Sequence, residues 1–236
     1  LEKAMYKIYI TDWWLSPELY LRRPTRKLDG TGWDTFYRLD TTLKRAADRG
    51  CVIYVLIYKE FEHALPNQSA YTKKTLKALH KNIHVMRHPG DMIFLWSHHE
   101  KMCAIDETVT YMGGLDLCYG RYDTDEYSLT DPGSEGHIHF PGQDYSNVRI
   151  KDFKNVDDWE QTLIDRDNNP RMPWRDIAVR LKGEVVKDTV RHFLQYWNFA
   201  KRDLSDVGHQ LSGEAARKSN KEKSTVGIEL PQLPDL

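Results

Sequence analysis

An α/β fold is predicted by three features. A helical repeat stops at a glycine and runs into a wholly apolar stretch, the same helix-then-strand order recurs downstream, and an amphipathic helix follows a last strand. The chain opens on Ala4 to Thr11, an aromatic strand pattern with no room before it for a complete first element, so the N-terminus reads as truncated. Leu39, Leu43, Ala46 and Ala47 recur at helical spacing, Gly50 marks the stop, and Cys51 to Tyr58 reads as a parallel-type strand covered on both faces. A second helix is predicted over Tyr71 to Leu79 through Leu76 and Leu79, and a second short strand over Asn82 to Arg87. Leu95 to Ile105 and Thr108 to Met112 read as strands flanking Asp106-Glu107, the spacing of a tight hairpin that ends at Gly113-Gly114.

From Gly120 to Met172 the composition shifts to Gly, Pro, Asp and Asn, with one helical piece expected over Asp157 to Ile164. The aromatic residues Tyr122, Tyr127, Phe140, Tyr145, Phe153 and Trp159 argue that this insertion is packed. Asp176 to Leu181 then reads as a strand and Val185 to Phe199 as a helix whose Val186, Val190, Phe193, Leu194 and Trp197 line one face. The expected division is one lobe over residues 1–200 and a mostly disordered tail over 201–236, where no aromatic residue remains to offset chain entropy.

The composition excludes several function classes. With 34 Lys plus Arg against 35 Asp plus Glu, there is no global attraction toward nucleic acid or anionic lipid, and no nucleic-acid partner is expected. The run Cys51 to Tyr58 is far short of the roughly 20 residues of a bilayer span, and the polar N-terminus has no signal-peptide pattern. Three cysteines, Cys51, Cys103 and Cys118, fit buried thiols in a reducing compartment better than a disulfide framework, so a cytoplasmic location is expected. The Asn67-Gln68-Ser69 sequon then carries no weight.

The chemistry concentrates in His98-His99-Glu100-Lys101-Met102-Cys103-Ala104-Ile105-Asp106, which contains His-x-Lys-x-x-x-x-Asp and is followed by Gly113-Gly114. On a strand, His99 and Lys101 project from one face and Met102 and Ala104 do not share it. An imidazole beside an ammonium suits phosphoryl transfer, in which a nucleophile attacks phosphorus while fixed positive charge stabilises the non-bridging oxygens. Asp106 falls in the turn, where a carboxylate accepts local hydrogen bonds. The glycine pair would let backbone approach a phosphate. His98 points away from Lys101 and reads as structural. Adjacent strand residues diverge, so His98, His99 and Glu100 do not chelate a metal together.

Three segments carry a resemblance. They are Leu95-Trp96-Ser97-His98-His99-Glu100-Lys101, the run Gly113-Gly114-Leu115-Asp116-Leu117-Cys118-Tyr119-Gly120-Arg121-Tyr122-Asp123, and Pro170-Arg171-Met172-Pro173-Trp174-Arg175-Asp176. With them the chain resembles eukaryotic phospholipase D, nearest its fungal members, from Ile8 through Phe199. The resemblance implies an α/β/α sandwich that forms one half of a pseudo-twofold bilobal catalytic domain. It implies that Asp176 accepts a hydrogen bond from the distal nitrogen of the catalytic imidazole. Asp116 stands where many relatives carry Asn. With Gly113 and Gly114 it falls at the family's substrate-facing positions, although a carboxylate there would repel an anionic phosphate. The implied partners are a phosphatidylcholine-type substrate, a peripheral membrane contact, and a regulatory phosphoinositide or small GTPase.

The family carries two such motifs in one chain, and of the ten histidines here only His99 has Lys two positions later. The expected reading is therefore the N-terminal catalytic half of an enzyme that releases choline and phosphatidic acid through a phosphohistidine, with the second half missing and no metal or other cofactor needed, since lysine supplies the positive charge. Two alternatives stay open: a single-motif phosphodiesterase or nuclease that completes its site as a homodimer, and an inactive truncated form that binds lipid phosphate.

Overall fold

Alternating apolar residues in the first strand send Ile8 and Ile10 to one side and Tyr9 to the other, and this parity decides which helices cover which face. The computed structural model describes residues 1–23, 33–60, 65–88, 97–131 and 139–210. The elements are β1 (Lys7–Asp12), α1 (Leu39–Asp48), β2 (Val52–Tyr58), α2 (Ser69–Leu79), β3 (Ile83–His88), β4 (Met102–Ile105), β5 (Val109–Gly113), β6 (Ala178–Lys182) and α3 (Val185–Gln210). They form one six-stranded sheet in the order β3-β2-β1-β4-β5-β6. β1, β2 and β3 run parallel, with Ile8 opposite Ile53 and Ile53 opposite Ile83. β4, β5 and β6 are antiparallel to their neighbours.

One face packs Ile8, Ile10, Ile53, Val55 and Val85 against Leu39, Leu43, Ala46 and Ala47 of α1 and Leu76 of α2. The other packs Tyr9, Leu56, Met86, Met102 and Ala104 against α3 through Val186, Val190, Phe193, Leu194 and Trp197. The residues that pattern α3 in the sequence are thus the ones it buries. Each such side chain is worth roughly 1.5–3 kcal/mol, enough to fix the helix on the sheet. The layers are helix, sheet, helix, as the resemblance implies. Among the described residues no helix is long and apolar enough to cross a membrane.

Four local expectations are corrected. The strand expected over Leu95 to Ile105 is formed only from Met102, because β1 and β5 both stop pairing there, Thr11 lying opposite Met102 and Met102 opposite Met112. Residues 97–101 are consequently outside the ladder, and Leu95 and Trp96 lie outside the described residues. Asp157 to Ile164 forms turns, not a helix. Two of its carbonyls are engaged elsewhere, since Gln143 Nε2 donates to that of Asp158 at 3.1 Å and the Gln143 backbone N–H to that of Trp159 at 2.9 Å. β6 begins two residues after Asp176. α3 continues to Gln210, ten residues past the expected lobe boundary, and the remainder of the expected tail, 211–236, lies outside the described residues.

The insertion is packed, with Phe140, Tyr145, Phe153 and Trp159 all buried. Phe153 and Trp159 belong to the α1/α2 side of the core. Asn67 of the sequon is buried too, its Nδ2 donating to the Trp13 carbonyl at 3.1 Å. Cys51 and Cys118 are buried and Cys103 half-buried, all as free thiols.

Candidate active site

Parallel β1 ends at Asp12 beside the start of antiparallel β4, and this edge of the sheet, outside the carboxyl ends of the parallel strands, is where open α/β sheets place ligands. Lys101 arrives there immediately before β4. Its ammonium is buried, bridges Asp116 Oδ1 at 3.0 Å, donates to the His99 carbonyl at 3.0 Å, and stands 5.7 Å from the centre of the Trp13 ring. His99 is exposed, with its imidazole 5.5 Å from the same indole. Trp13 thus has the imidazole and the ammonium against it together.

Burial, with the charges of Lys101 and Arg121, holds the His99 imidazole below its ordinary value, against the opposing pull of Asp116 and Asp176. A neutral ring keeps the lone pair that a nucleophile needs. Asp12 is fully buried, and burial followed by the neighbouring Asp116 carboxylate drives its carboxyl well above the ordinary range. Asp12 also accepts the backbone N–H of Trp13 and of Leu117, both at 2.9 Å. Arg121 lies 3.5 Å from Asp116 Oδ2 and stacks 3.7 Å over the Trp174 ring. Lys101 and Arg121 thus converge on Asp116 beside the His99 imidazole, and two cations at one edge suit an anionic substrate.

The structure thus brings His99, Lys101 and Asp116 together and adds Arg121, Trp174 and Asp12, to which the sequence reading gave no role. Asp12 had a legible signal, a charged residue at the end of an apolar parallel strand. Arg121 and Trp174 had none, because their meeting depends on the path of the insertion.

Other positions are corrected. Asp116 holds the two cations from a buried position, so it is not a phosphate contact. The space at the glycine pair is filled by protein: a Cβ on Gly113 would meet Ala178 Cα at 2.7 Å, and one on Gly114 would meet the Asp176 carboxylate, with Cγ at 2.8 Å. Their amides are committed as well, Gly113 to the Lys101 carbonyl at 3.3 Å and Gly114 to that of Ile177 at 3.1 Å. Neither is left to bind phosphate. Asp106 sits at the far end of β4 with φ of 50° and accepts the N–H groups of Met5, Tyr6 and Lys7 at 2.7–2.9 Å. It fastens the start of β1 to the hairpin and is no part of the reacting cluster. Asp176 Oδ2 accepts the Trp174 indole N–H at 2.8 Å. Among the described residues no hydrogen bond joins it to the His99 ring, on which it acts through its charge.

His98 is buried, its Nδ1 3.0 Å from the Tyr196 hydroxyl and its ring stacked on His88 at 5.4 Å. Burial, aided by the neighbouring His88 and Lys101, pushes it down to about 3. A depressed folded-state value contributes stability that is present above the unfolded value near 6.5 and lost as pH falls toward 3. Urea midpoints measured from pH 7 to pH 4 should therefore fall less steeply for His98→Gln than for the parent chain. Parallel slopes would show that the buried imidazole does not drive this dependence.

A larger concavity of about 1310 Å³ opens at the opposite edge, around Asp106 and Lys182, and touches neither His99 nor Lys101.

The Phospholipase D family model matches residues 1–229. Over 222 residues the chain is 44% identical to phospholipase D2 of Bos taurus, covering 84% of this chain and 23% of that protein. It is 45% identical over 199 residues to phospholipase D1 of Saccharomyces cerevisiae, covering 83% and 12%. It is 43% identical over 206 residues to phospholipase D zeta 1 of Arabidopsis thaliana, covering 86% and 18%. The chain thus spans less than a quarter of the length of these relatives. A match over nearly its whole length places this chain in the phospholipase D family.

Proposed function

We propose that this chain is one catalytic half of a phospholipase D that cleaves phosphatidylcholine-type diesters at a cytoplasmic membrane surface. The observation that carries the reading is the exposed His99 imidazole set against Trp13 beside Lys101, whose ammonium is pinned by Asp116.

In the completed site one imidazole attacks phosphorus, forming an N–P bond as the P–O bond to choline breaks. The other imidazole, contributed by the opposite half, gives its proton to the departing alkoxide. Water, or another alcohol, then loses a proton to that same imidazole and attacks phosphorus. The N–P bond breaks and phosphatidic acid, or a phosphatidyl-alcohol, leaves. Lys101 and Arg121 stabilise the non-bridging oxygens throughout. The Asp176 charge favours the cationic form of the ring when His99 is phosphorylated or protonated.

Trapping tests the reading. A diester labelled at phosphorus should leave alkali-stable, acid-labile label on a histidine of the completed enzyme. Label on the peptide containing His99 makes it the nucleophile, and label on the histidine of the other half makes His99 the acid. No labelled histidine would overturn the proposal.

A further inference from the structure

Two side chains one turn apart on α3 grip the residues on either side of His99. The Tyr196 hydroxyl lies 3.0 Å from His98 Nδ1, and His192 Nε2 lies 2.6 Å from Glu100 Oε2. The other Glu100 oxygen accepts the Thr11 hydroxyl at 3.0 Å. These contacts matter because residues 97–101 precede β4 and have no backbone ladder pairing with β1, so side chains must fix them. An exposed imidazole on an unpaired segment takes its direction from whatever anchors its neighbours.

The anchor itself is rigid. Phe193, Leu194 and Trp197 of the same stretch of helix are 0–2% exposed against the sheet, so His192 and Tyr196 are held at fixed height above its edge. Tyr196 also has the His88 ring at 5.1 Å, and His88 stacks on His98, closing a ring of contacts around the buried neighbour of His99.

We propose that His192 and Tyr196 are positioning residues for His99, setting the direction of its imidazole by fixing the backbone at His98 and Glu100. This rests on the phospholipase D reading of the site above. The side chains touch no reacting atom. Their effect is on the fraction of encounters in which the ring is aligned with phosphorus, and alignment errors of about 1 Å cost up to roughly 10²-fold in rate.

The test uses an enzyme in which this half is completed by the second motif. Tyr196→Phe removes one hydroxyl and keeps the ring, His192→Ala removes the donor to Glu100, and His192→Gln restores an amide donor. The first two should each lower kcat on the order of tenfold, with KM and melting temperature unchanged, and His192→Gln should recover most of the loss. Unchanged kcat, or a kcat loss that tracks the melting temperature and is not rescued by glutamine, would overturn the inference. His99→Ala in the same preparation separates the two readings: if it retains turnover the phospholipase D assignment of the site fails, whereas a dead His99→Ala beside normal helix variants defeats only the positioning role.

Discussion

His99→Ala and Lys101→Ala are each expected to abolish turnover in an enzyme that contains this half. Removing the imidazole deletes either the covalent step or the proton donor to the leaving alkoxide, and general acid catalysis alone is worth on the order of 10²- to 10⁴-fold. Removing Lys101 takes away fixed charge that the transferring phosphoryl group needs, an effect on the order of 10²- to 10³-fold. The lysine change acts on the fold as well. Lys101 and Asp116 form a buried pair at 3.0 Å, and truncating one partner of such a pair costs about 3–5 kcal/mol. Activity must therefore be expressed per folded molecule, with circular dichroism and urea unfolding run on the same samples. His98→Ala should lose much less, on the order of tenfold, because His98 touches Tyr196 and His88 and only fixes the backbone before His99. Choline release measures all three. Near-normal release from the His99 or Lys101 variant would show that the chemistry lies elsewhere.

Much of the layer structure was legible because it is set by periodicity. The 3.6-residue pattern of Leu39, Leu43, Ala46 and Ala47 and that of Val186 to Trp197 named the faces that α1 and α3 bury. The apolar run after Gly50 named β2, a central strand. What failed is what depends on distant partners. The sequence from Leu95 to Ile105 alternates well enough to suggest one strand, but a strand lasts only as long as its pairing, and the pairing with β1 and with β5 reaches no further than Met102.

The glycine pair shows the same limit. Its spacing after Asp106 suggested an anion-binding turn, yet the space above Gly114 belongs to Asp176, sixty-two residues later. Asp106 was rightly expected to accept backbone hydrogen bonds, although its donors lie some hundred residues upstream and not within the hairpin. The two-residue spacing of His99 and Lys101 suggested one strand face, but residues 97–101 lie outside the ladder, and the imidazole and ammonium instead approach each other over the Trp13 ring. The carboxyl pair that holds the ammonium was not legible, since Asp12 and Asp116 meet only when β1 and the segment after β5 close on one another.

The chain by itself is expected to be almost inactive toward phosphatidylcholine and to regain activity when co-expressed with a chain that carries the second motif. The chemistry calls for two imidazoles and two ammonium groups around one phosphorus, and the His-x-Lys pattern occurs here once. Loss of the partner acid should cost on the order of 10²- to 10⁴-fold, and loss of half the charge clamp should add to it. The surface around the site points the same way. Ile177 is 82% exposed and Val179 50%, two residues apart on one side of the β6 edge at the glycine pair. Neighbouring exposed apolar side chains on a sheet edge favour association, so the lone chain should also aggregate more readily than the joined halves. A fluorescent phosphatidylcholine analogue with a primary alcohol reads both hydrolysis and transfer, and light scattering after size exclusion gives the mass of the active species. Robust transfer by a monomer would refute the half-site account. Robust transfer by a dimer would instead favour a phosphodiesterase that builds its site from two copies of this one motif.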